Sequence, residues 1–399
     1  MATPLRFLLF FGTLSLVVVL GHIYLYRRLF RDTAKHPGWR LAGVGVMALL
    51  ASLIIGWRLL PSVLPQEVAS AFTKLGWLWM GAATYLLLAV LSLGGVRKLL
   101  GWLKRRRVAE AAPVPAPVDE ERRQFLARAS AGAALVATGG LASYGVWRAY
   151  APPVVNEVAV RLPGLPKALD GFSILQLSDI HVGPLIQRRF MDALVAQCNA
   201  LKGDLVCITG DLVDGSVEEL GFAAGALREL RSRHGTYFVT GNHEYYSGDV
   251  AWTQALTSMG LTVLRNRHVR IGEPGASFDL VGVDDWGARQ SGLPSSRGYD
   301  LAAATAGRDP SRAAVLLAHQ PSGWREQALK AGMGLQLSGH THGGQFFPFN
   351  LVVSAIWEHD AGLFHEGEGH LYVSRGTGFW GPPLRVAAPS EIVKVTLLA

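Results

Sequence analysis

Five short polar motifs carry residue types that bind metal ions and transfer protons. Each contains an aspartate, an asparagine or a histidine, and four of the five also contain glycine: SDIHVG at 178–183, GDLVD at 210–214, GNHE at 241–244, AHQP at 318–321 and SGHTHGGQ at 338–345. Carboxylate oxygens together with imidazole nitrogens suit Mn, Fe or Zn better than Ca or Mg alone. The set suffices for two metals if one carboxylate bridges them, so the sequence predicts a metal centre.

The elements that must position these motifs are the strands of an α/β domain. Apolar runs that end near a motif lie at 173–178, 204–209, 236–240, 313–318 and 334–338. Helical stretches alternate with them near 186–201, 216–232, 250–259 and 322–331. More sheet is predicted at 278–283, 371–374 and 391–398, with an edge strand at 154–161. Because open α/β sheets place their sites at the carboxyl ends of the strands, the motifs are expected to lie together.

The order of the motifs is specific. The series D-x-H, G-D-x-x-D, G-N-H-E, an isolated His and G-H-T-H resembles the calcineurin-like metallophosphoesterase family over residues 170–399. The SGHTHGGQ form is similar to a bacterial subgroup with membrane or twin-arginine segments before the domain. The resemblance implies a four-layer α/β/β/α sandwich behind N-terminal transmembrane helices. It also implies a metal-dependent phosphoester hydrolase with two divalent ions, whose identity as Mn, Fe or Zn stays open.

The resemblance further implies a role for individual residues. One metal is expected at Asp179, His181 and His342. The other is expected at Asn242, His319 and His340, with Asp211 bridging the two. A metal-bound hydroxide would then attack phosphorus in line with the leaving oxygen. His243 resembles the catalytic histidine of the family, which donates a proton or hydrogen bond to that oxygen, and Asp214 is expected to orient it. The alternative for Asp214 is a helix N-cap.

Other polar residues leave two interpretations open. Asp284 and Asp285 follow a predicted strand and either lie near the site or serve in a turn or cap. Arg375 is either a phosphate contact or, as the default, a structural surface arginine. The only two cysteines, Cys198 and Cys207, cannot make a disulfide framework and are expected to be buried apolar residues.

The first part of the chain contains apolar runs of bilayer length. About 20 apolar residues cross the hydrocarbon of a membrane, and the runs at 5–26, 41–60 and 75–96 meet this, with a weaker fourth at 129–147. The alternative, a buried soluble helix, is disfavoured by the basic flanks. The predicted organisation is a three-helix transmembrane region at 1–107, an Ala/Pro-rich linker at 108–124, a fourth membrane segment at 125–151 and the metallophosphoesterase domain at 152–399. The fourth segment either resembles a twin-arginine signal anchor or simply carries positive flanking charge, and it is expected to be retained.

Charge is distributed unevenly along the chain. The 399 residues carry 38 Lys and Arg against 30 Asp and Glu, a net charge of +8. Residues 1–151 carry +12 and residues 152–399 carry −4. Lys/Arg-rich loops stay in the cytoplasm, so the basic segments at 27–40 and 97–107 predict a multi-pass protein of the inner membrane with its catalytic domain on the extracytoplasmic, periplasmic side. An acidic catalytic domain disfavours nucleic acid as the substrate.

Two classes of function fit these observations. The favoured one is a membrane-anchored phosphodiesterase or phosphomonoesterase. A phospholipid or lipid-linked sugar phosphate is favoured over a soluble ester, because the chain has a fixed membrane anchor and many aromatic residues in the second half of the domain. Most of these are expected in the core, and those after His342 and around Gly378 either there or at a lipid-facing mouth. The alternative is a membrane sensor or scaffold that binds phosphate ligands without turnover. The complete set of motif residues favours the enzyme.

Overall fold

Long apolar helices come first in the computed structural model, which describes residues 3–56, 64–107, 119–291 and 298–399. Among these residues, four helices are long and apolar enough to cross a membrane: α1 (Thr3–Tyr26), α2 (Pro37–Gly56), α3 (Gln66–Arg107) and α4 (Glu120–Tyr150). A π-helical turn at Arg27–Arg31 extends α1. The four predicted runs fall on these helices. Residues 57–60 of the second run and 108–118 of the predicted linker lie outside the described residues.

The chain divides into two compact units, Met1–Tyr144 and Gly145–Ala399. In the first unit a small apolar cluster forms between the helices, made of Leu25, Met47, Leu86, Val90 and Ala134. The indole of Trp79 donates a hydrogen bond of 2.9 Å to the buried His22. Many large apolar side chains face outward instead, which is expected of helices whose surroundings are lipid.

The second unit contains two six-stranded sheets. The first sheet has the order β1 (Val154–Arg161), β12 (Glu391–Leu398), β2 (Ser173–Leu177), β3 (Leu205–Thr209), β4 (Thr236–Val239) and β5 (Thr262–Val263). The second has the order β10 (Gly362–Glu366), β11 (Gly369–Val373), β9 (Leu335–Ser338), β8 (Ala314–Leu317), β7 (Ala276–Gly282) and β6 (Arg267–Glu273). Neighbours from β2 to β5 are parallel, as are β11, β9, β8 and β7. The predicted edge strand at 154–161 is confirmed at the edge of the first sheet.

Alternating side chains of the strands build the layers. In β2, Leu175 and Leu177 face a helix layer, whereas Ile174 faces the second sheet. The helices of the first face are α5 (Arg188–Leu201), α6 (Val217–Ala224) and α8 (Asp249–Ser258). The second sheet is covered by α9 (Leu301–Thr305) and the turn Trp324–Ala328. The predicted four-layer α/β/β/α fold is therefore confirmed.

Several elements differ from the sequence prediction. The helix predicted at 322–331 is only the single turn Trp324–Ala328, because Gly323 and Gly332 on either side adopt left-handed φ angles of 77° and 74°. The helix predicted at 216–232 ends at Ala224 and continues as a 3-10 turn. The short helices α7 (Asn242–Ser247) and α10 (Phe349–Ile356) and the edge strands β6 and β10 were not anticipated.

Candidate metal centre

The motif residues cluster because they follow the carboxyl ends of parallel strands in the two packed sheets, β2 to β4 in the first and β8 and β9 in the second. Asp179, Asp211, His319 and His340 each come two residues after the end of a strand, namely β2, β3, β8 and β9. Asn242 begins α7 just after β4. The carboxyl ends of parallel strands converge, so residues far apart in sequence meet here.

The backbone at the site is strained. Five of the predicted metal-binding residues adopt left-handed φ angles: Asp179 (52°), His181 (55°), Asp211 (50°), His340 (75°) and His342 (53°). This conformation costs a non-glycine residue about 1–3 kcal/mol. Such strain persists only where the surrounding structure imposes it, and it is typical of functional sites.

The first cluster contains Asp179, His181 and His342. The Nε2 atoms of His181 and His342 lie 3.1 Å apart, and His342 Nε2 lies 3.6 Å from Asp179 Oδ1. The Asp179 carboxylate also accepts a hydrogen bond of 2.9 Å from the backbone N–H of His340. This bond ties the first cluster to His340, a member of the second cluster.

The second cluster contains Asp211, His319 and His340. His319 Nε2 lies 3.1 Å from Asp211 Oδ2 and 3.2 Å from His340 Nδ1. His319 Nδ1 donates to the carbonyl of Thr209 at 2.8 Å, so its Nε2 faces the cluster. Asp211 Oδ2 also lies 3.9 Å from His181 Nε2, which puts this oxygen between the two clusters.

The donor set fits bound divalent metals. Two imidazole nitrogens on one ion, at about 2.1 Å each, lie roughly 3.0–3.4 Å apart, and both facing pairs, at 3.1 and 3.2 Å, have this separation. The buried Oδ1 of Asn242 has no hydrogen-bond partner among the described residues, as expected of an oxygen reserved for a ligand. Burial lowers the pKa of His340 to about 3, which keeps it in the neutral form that binds metal.

Asp214 connects a cluster residue to the predicted catalytic histidine. Its Oδ1 accepts from His243 Nδ1 at 2.6 Å and from His181 Nδ1 at 3.1 Å. Both rings therefore keep Nε2 on the side of the site. Burial opposes ionisation of Asp214, but the adjacent imidazoles of His181 and His243 outweigh it and lower its pKa to about 2. Asp214 is not the N-cap of α6, since Ser216 has that position.

His243 is positioned to be positively charged. Burial opposes its protonation, but the Asp211 carboxylate and the hydrogen bond to Asp214 outweigh it and raise its pKa to about 9. Its side chain is 16% exposed, so the ring is accessible from solvent. The rings of Tyr246 and Trp380 pack against it, with centroids at 5.4 and 5.6 Å. A proton on this ring is therefore available at the mouth of the site.

Glu244 holds two loops of the site together. Its buried carboxylate accepts hydrogen bonds from the backbone N–H groups of Asp211 (3.0 Å), Leu212 (2.8 Å), Val213 (3.3 Å) and Gly241 (2.6 Å). It thereby fixes the loop after β3 against the loop after β4. No role was predicted for Glu244 from the sequence, although it stands inside the GNHE motif.

Arg385 has a similar supporting role around His342. It is 1% exposed and donates to the carbonyls of Arg375 at 2.7 Å and Ala388 at 3.2 Å, and its Nη2 lies 3.2 Å from His342 Nδ1. Burial lowers the pKa of this guanidinium to about 10. Nothing in the local sequence links it to the site, because the contact spans two distant loops.

The remaining residues with two open interpretations make contacts of their own in the structure. Asp284 forms a two-point ion pair with Arg265, with distances of 2.8 and 2.9 Å. Asp285 accepts from the backbone N–H of Gly287 at 2.7 Å, a turn role, and also from Gln320 Nε2 at 3.1 Å, which places it near His319. Arg375 pairs with Glu391 at 3.0 Å and is a structural arginine. Cys198 and Cys207 are free and buried, as predicted.

Replacement of Gly339 by alanine is expected to disrupt the first cluster. A Cβ on Gly339 would overlap Ser178 Oγ and Asp179 Oδ2. Overpacking of this kind costs about 1–3 kcal/mol, and here it also displaces a predicted metal ligand. Thermal unfolding and metal titration should show lower stability and weaker binding.

Gly221→Ala is the matched control for that substitution. Gly221 lies within α6, where an added Cβ only touches Val217 Cγ1 at 3.6 Å. In a helix interior this change is expected to stabilise by about 0.5–1 kcal/mol. Equal metal affinity in the two variants would contradict the account of Gly339.

Comparisons with known proteins agree with this arrangement. Residues 172–344 match the family described as calcineurin-like phosphoesterase. The chain is 34% identical to a "Transmembrane protein with metallophosphoesterase domain" of Danio rerio, over 98% of this chain and 89% of that protein. It is 35% identical to the protein of the same name in Bos taurus, over 96% of this chain and 87% of that protein.

A bacterial relative is also similar. An "Uncharacterized metallophosphoesterase" of Helicobacter pylori is 40% identical, over 64% of this chain and 66% of that protein. The resemblance thus extends to vertebrate membrane proteins and is wider than the bacterial subgroup that the SGHTHGGQ motif suggested. The chain belongs to the calcineurin-like phosphoesterase family.

Proposed function

We propose that this chain is a membrane-anchored phosphoesterase that uses two divalent metal ions to hydrolyse a phosphate ester at the membrane surface. The observation that carries the proposal is the pair of clusters with Asp211 Oδ2 between them, 3.1 Å from His319 Nε2 and 3.9 Å from His181 Nε2. In phosphatases and nucleases, two neighbouring metal ions stabilise the attacking and the leaving oxygen of an in-line displacement at phosphorus.

The proposed ligands divide between the two positions. Asp179, His181 and His342 would hold one ion; Asn242, His319 and His340 would hold the other; Asp211 would be shared. Divalent ions bound there would act as Lewis acids on the phosphate and lower the pKa of water. The candidate ligands are buried or half-buried, which strengthens these electrostatic interactions.

His243 would act on the leaving group. Hydrolysis adds the hydroxyl of water to phosphorus and breaks the bond to the leaving oxygen. That oxygen needs a proton, which His243 would give, and the proton released from water would restore His243. His243 keeps one proton on Nδ1, donated to Asp214 at 2.6 Å, and a second proton on Nε2 can pass to the leaving oxygen. Its raised pKa, about 9, supports the protonated form at neutral pH.

The proposed substrate is a phosphate ester carried by a membrane lipid. The chain has four helices suited to crossing a membrane, so the catalytic domain is tethered beside lipid. The mouth of the site carries Trp380, which is 44% exposed, and Tyr246, which is 72% exposed. Comparison of lipid extracts from a deletion strain and the wild type tests this, because one lipid phosphate should accumulate. Unchanged lipid profiles would favour a soluble substrate.

The proposed location of the domain is the extracytoplasmic face of the inner membrane. A membrane-impermeant maleimide should label Arg233→Cys in intact spheroplasts, and Lys35→Cys only after the membrane is opened. Both positions are exposed, and the native cysteines Cys198 and Cys207 are buried. The opposite labelling pattern would overturn the orientation.

The enzymatic proposal is tested with the purified full chain in detergent. After treatment with EDTA, addition of Mn²⁺ is expected to restore hydrolysis of bis-p-nitrophenyl phosphate or p-nitrophenyl phosphate, and the relative rates show whether diesters or monoesters are preferred. Metal binding without hydrolysis of either ester under Mn²⁺, Fe²⁺ or Zn²⁺ would instead support the sensor or scaffold.

A further inference from the structure

Helix α10 and Phe347, two residues before it, expose an apolar surface. We name it the α10 surface and define it by Phe347, Phe349, Leu351, Val352 and Ile356, which are 46, 46, 59, 50 and 73% exposed. The helix has the sequence FNLVVSAI, with no charged residue and no buried one. A contiguous apolar surface of this kind marks an interaction site.

The α10 surface adjoins the candidate metal centre. Phe347 follows His342 by five residues, and the turn between them packs so tightly that a Cβ on Gly344 would overlap the backbone of Asn350 in α10. At the other end of the helix, the ring of Trp357 packs edge-on against His340 with centroids 5.3 Å apart. Both ends of α10 are therefore fixed to residues of the SGHTHGGQ loop.

The α10 surface also lies beside the last turns of α4, a candidate membrane-spanning helix. The backbone N–H of Phe347 bonds to the carbonyl of Val386 at 2.9 Å, and the neighbouring Arg385 N–H bonds to the carbonyl of Gly145 at 3.0 Å. The segment 385–386 thus bonds to Phe347 of the α10 surface on one side and to Gly145 of α4 on the other. These residues all belong to the unit Gly145–Ala399.

The end of α4 has the residues of a membrane interface. Trp147 and Tyr150 are 62 and 43% exposed, and Tyr150 packs on Phe379 at a centroid distance of 5.2 Å. Trp and Tyr concentrate where a bilayer meets water. Only residues 151–153 separate α4 from β1, a reach of about 10 Å, so the surface of a bilayer that α4 crosses lies next to this part of the domain.

We propose that the α10 surface inserts into the leaflet from which α4 emerges, at the boundary between headgroups and acyl chains. Interfacial helices bury an apolar face about 5–10 Å deep in this region. The bilayer is favoured over a second copy of the chain because the segment 385–386 connects Phe347 of the α10 surface to the end of α4, a candidate membrane-spanning helix. The consequence for catalysis, that lipid phosphates reach the metal centre without leaving the membrane, rests on the proposed function.

The test measures how deep the α10 surface lies in the bilayer and does not measure activity. The full chain is reconstituted as one copy per nanodisc of phosphatidylethanolamine and phosphatidylglycerol, without paramagnetic Mn²⁺. Nitroxide labels are placed at Val352→Cys, Ile356→Cys and, as control, the exposed Arg233→Cys. The wild type gives the background, since Cys198 and Cys207 are buried.

Accessibility to O₂ and to a water-soluble nickel chelate then decides the proposal. The labels at 352 and 356 are expected to be more accessible to O₂ than to the nickel chelate, which corresponds to a depth of about 5–10 Å below the bilayer surface. The control label at 233 is expected to be fully accessible to the nickel chelate. Labels as accessible to nickel as the control, or shielded from both reagents by protein, would overturn the proposal. Because the measurement reports the depth of the labels and not turnover, this result is independent of whether the chain hydrolyses phosphate esters.

Discussion

The Asp211→Asn variant is expected to lose metal binding and nearly all hydrolysis. Asp211 Oδ1 accepts from the backbone N–H of His243 at 2.9 Å, so the asparagine oxygen takes that position. Its amide NH₂ then faces the Nε2 atoms of His319 and His181, where Oδ2 stood at 3.1 and 3.9 Å. An N–H donor cannot coordinate a metal ion, and the shared negative charge is lost.

The expected loss of kcat/KM for Asp211→Asn is large. Metal ions supply several kcal/mol of transition-state stabilisation, and each 1.36 kcal/mol corresponds to about tenfold in rate, so a loss of about a thousandfold or more follows. Metal content is measured by mass spectrometry alongside kinetics. Asp192→Asn is the matched control, because Asp192 makes only an exposed pair with Arg188 on α5. Two retained ions and near-normal activity in Asp211→Asn would contradict the shared role.

The His243→Gln variant is expected to retain its metals and lose turnover. His243 makes its close side-chain bond to Asp214, at 2.6 Å, and its Nε2 is 3.9 Å from Asp211 Oδ2. General acid catalysis contributes about 10²–10⁴-fold, so kcat should fall by that factor while the metal content is unchanged. The exposed His365 on β10 gives the control His365→Gln.

The choice of leaving group separates this role from a structural one. p-Nitrophenolate is stable without a proton, whereas an alkoxide needs one. The loss in His243→Gln should therefore be larger for an alkyl phosphate ester than for a p-nitrophenyl ester. An equal loss for both leaving groups would exclude proton donation by His243.

The strand-end positions of the motifs could be predicted well from the sequence, because a polar residue directly after a buried apolar run is typical of a site at the end of a strand. The positions of Asp179, Asp211, His319 and His340 follow from that pattern alone. The left-handed backbone at Asp179, His181 and Asp211 does not. Asp and His adopt positive φ more often than most residues, but this conformation is still uncommon for them and tertiary contacts impose it here.

Supporting residues were harder to predict than candidate ligands. Arg385 lies 43 positions from His342, and only the folded loops bring its Nη2 within 3.2 Å of the ring. Glu244 holds two loops together by accepting hydrogen bonds from four backbone N–H groups. The pattern of side chains in the sequence does not predict this role. Contacts to the backbone leave little trace in residue type.

The exposure of α10 to solvent could not be predicted from the sequence either. A run such as FNLVVSAI is usually interpreted as core, and Phe346 just before it is buried at 6%. Ile356 at the other end is 73% exposed, because none of the described elements of the domain covers this side. Whether an apolar segment is covered depends on its neighbours in space, which the local sequence does not contain.

The most direct test of the two-metal proposal is the metal stoichiometry of the purified chain, measured together with hydrolysis. Chain stripped with EDTA is titrated with Mn²⁺, and bound metal is counted by mass spectrometry at each point. The account predicts two ions per chain at saturation, with hydrolysis of a p-nitrophenyl ester appearing as the second ion binds. Saturation at one ion, or two bound ions without hydrolysis, would contradict it.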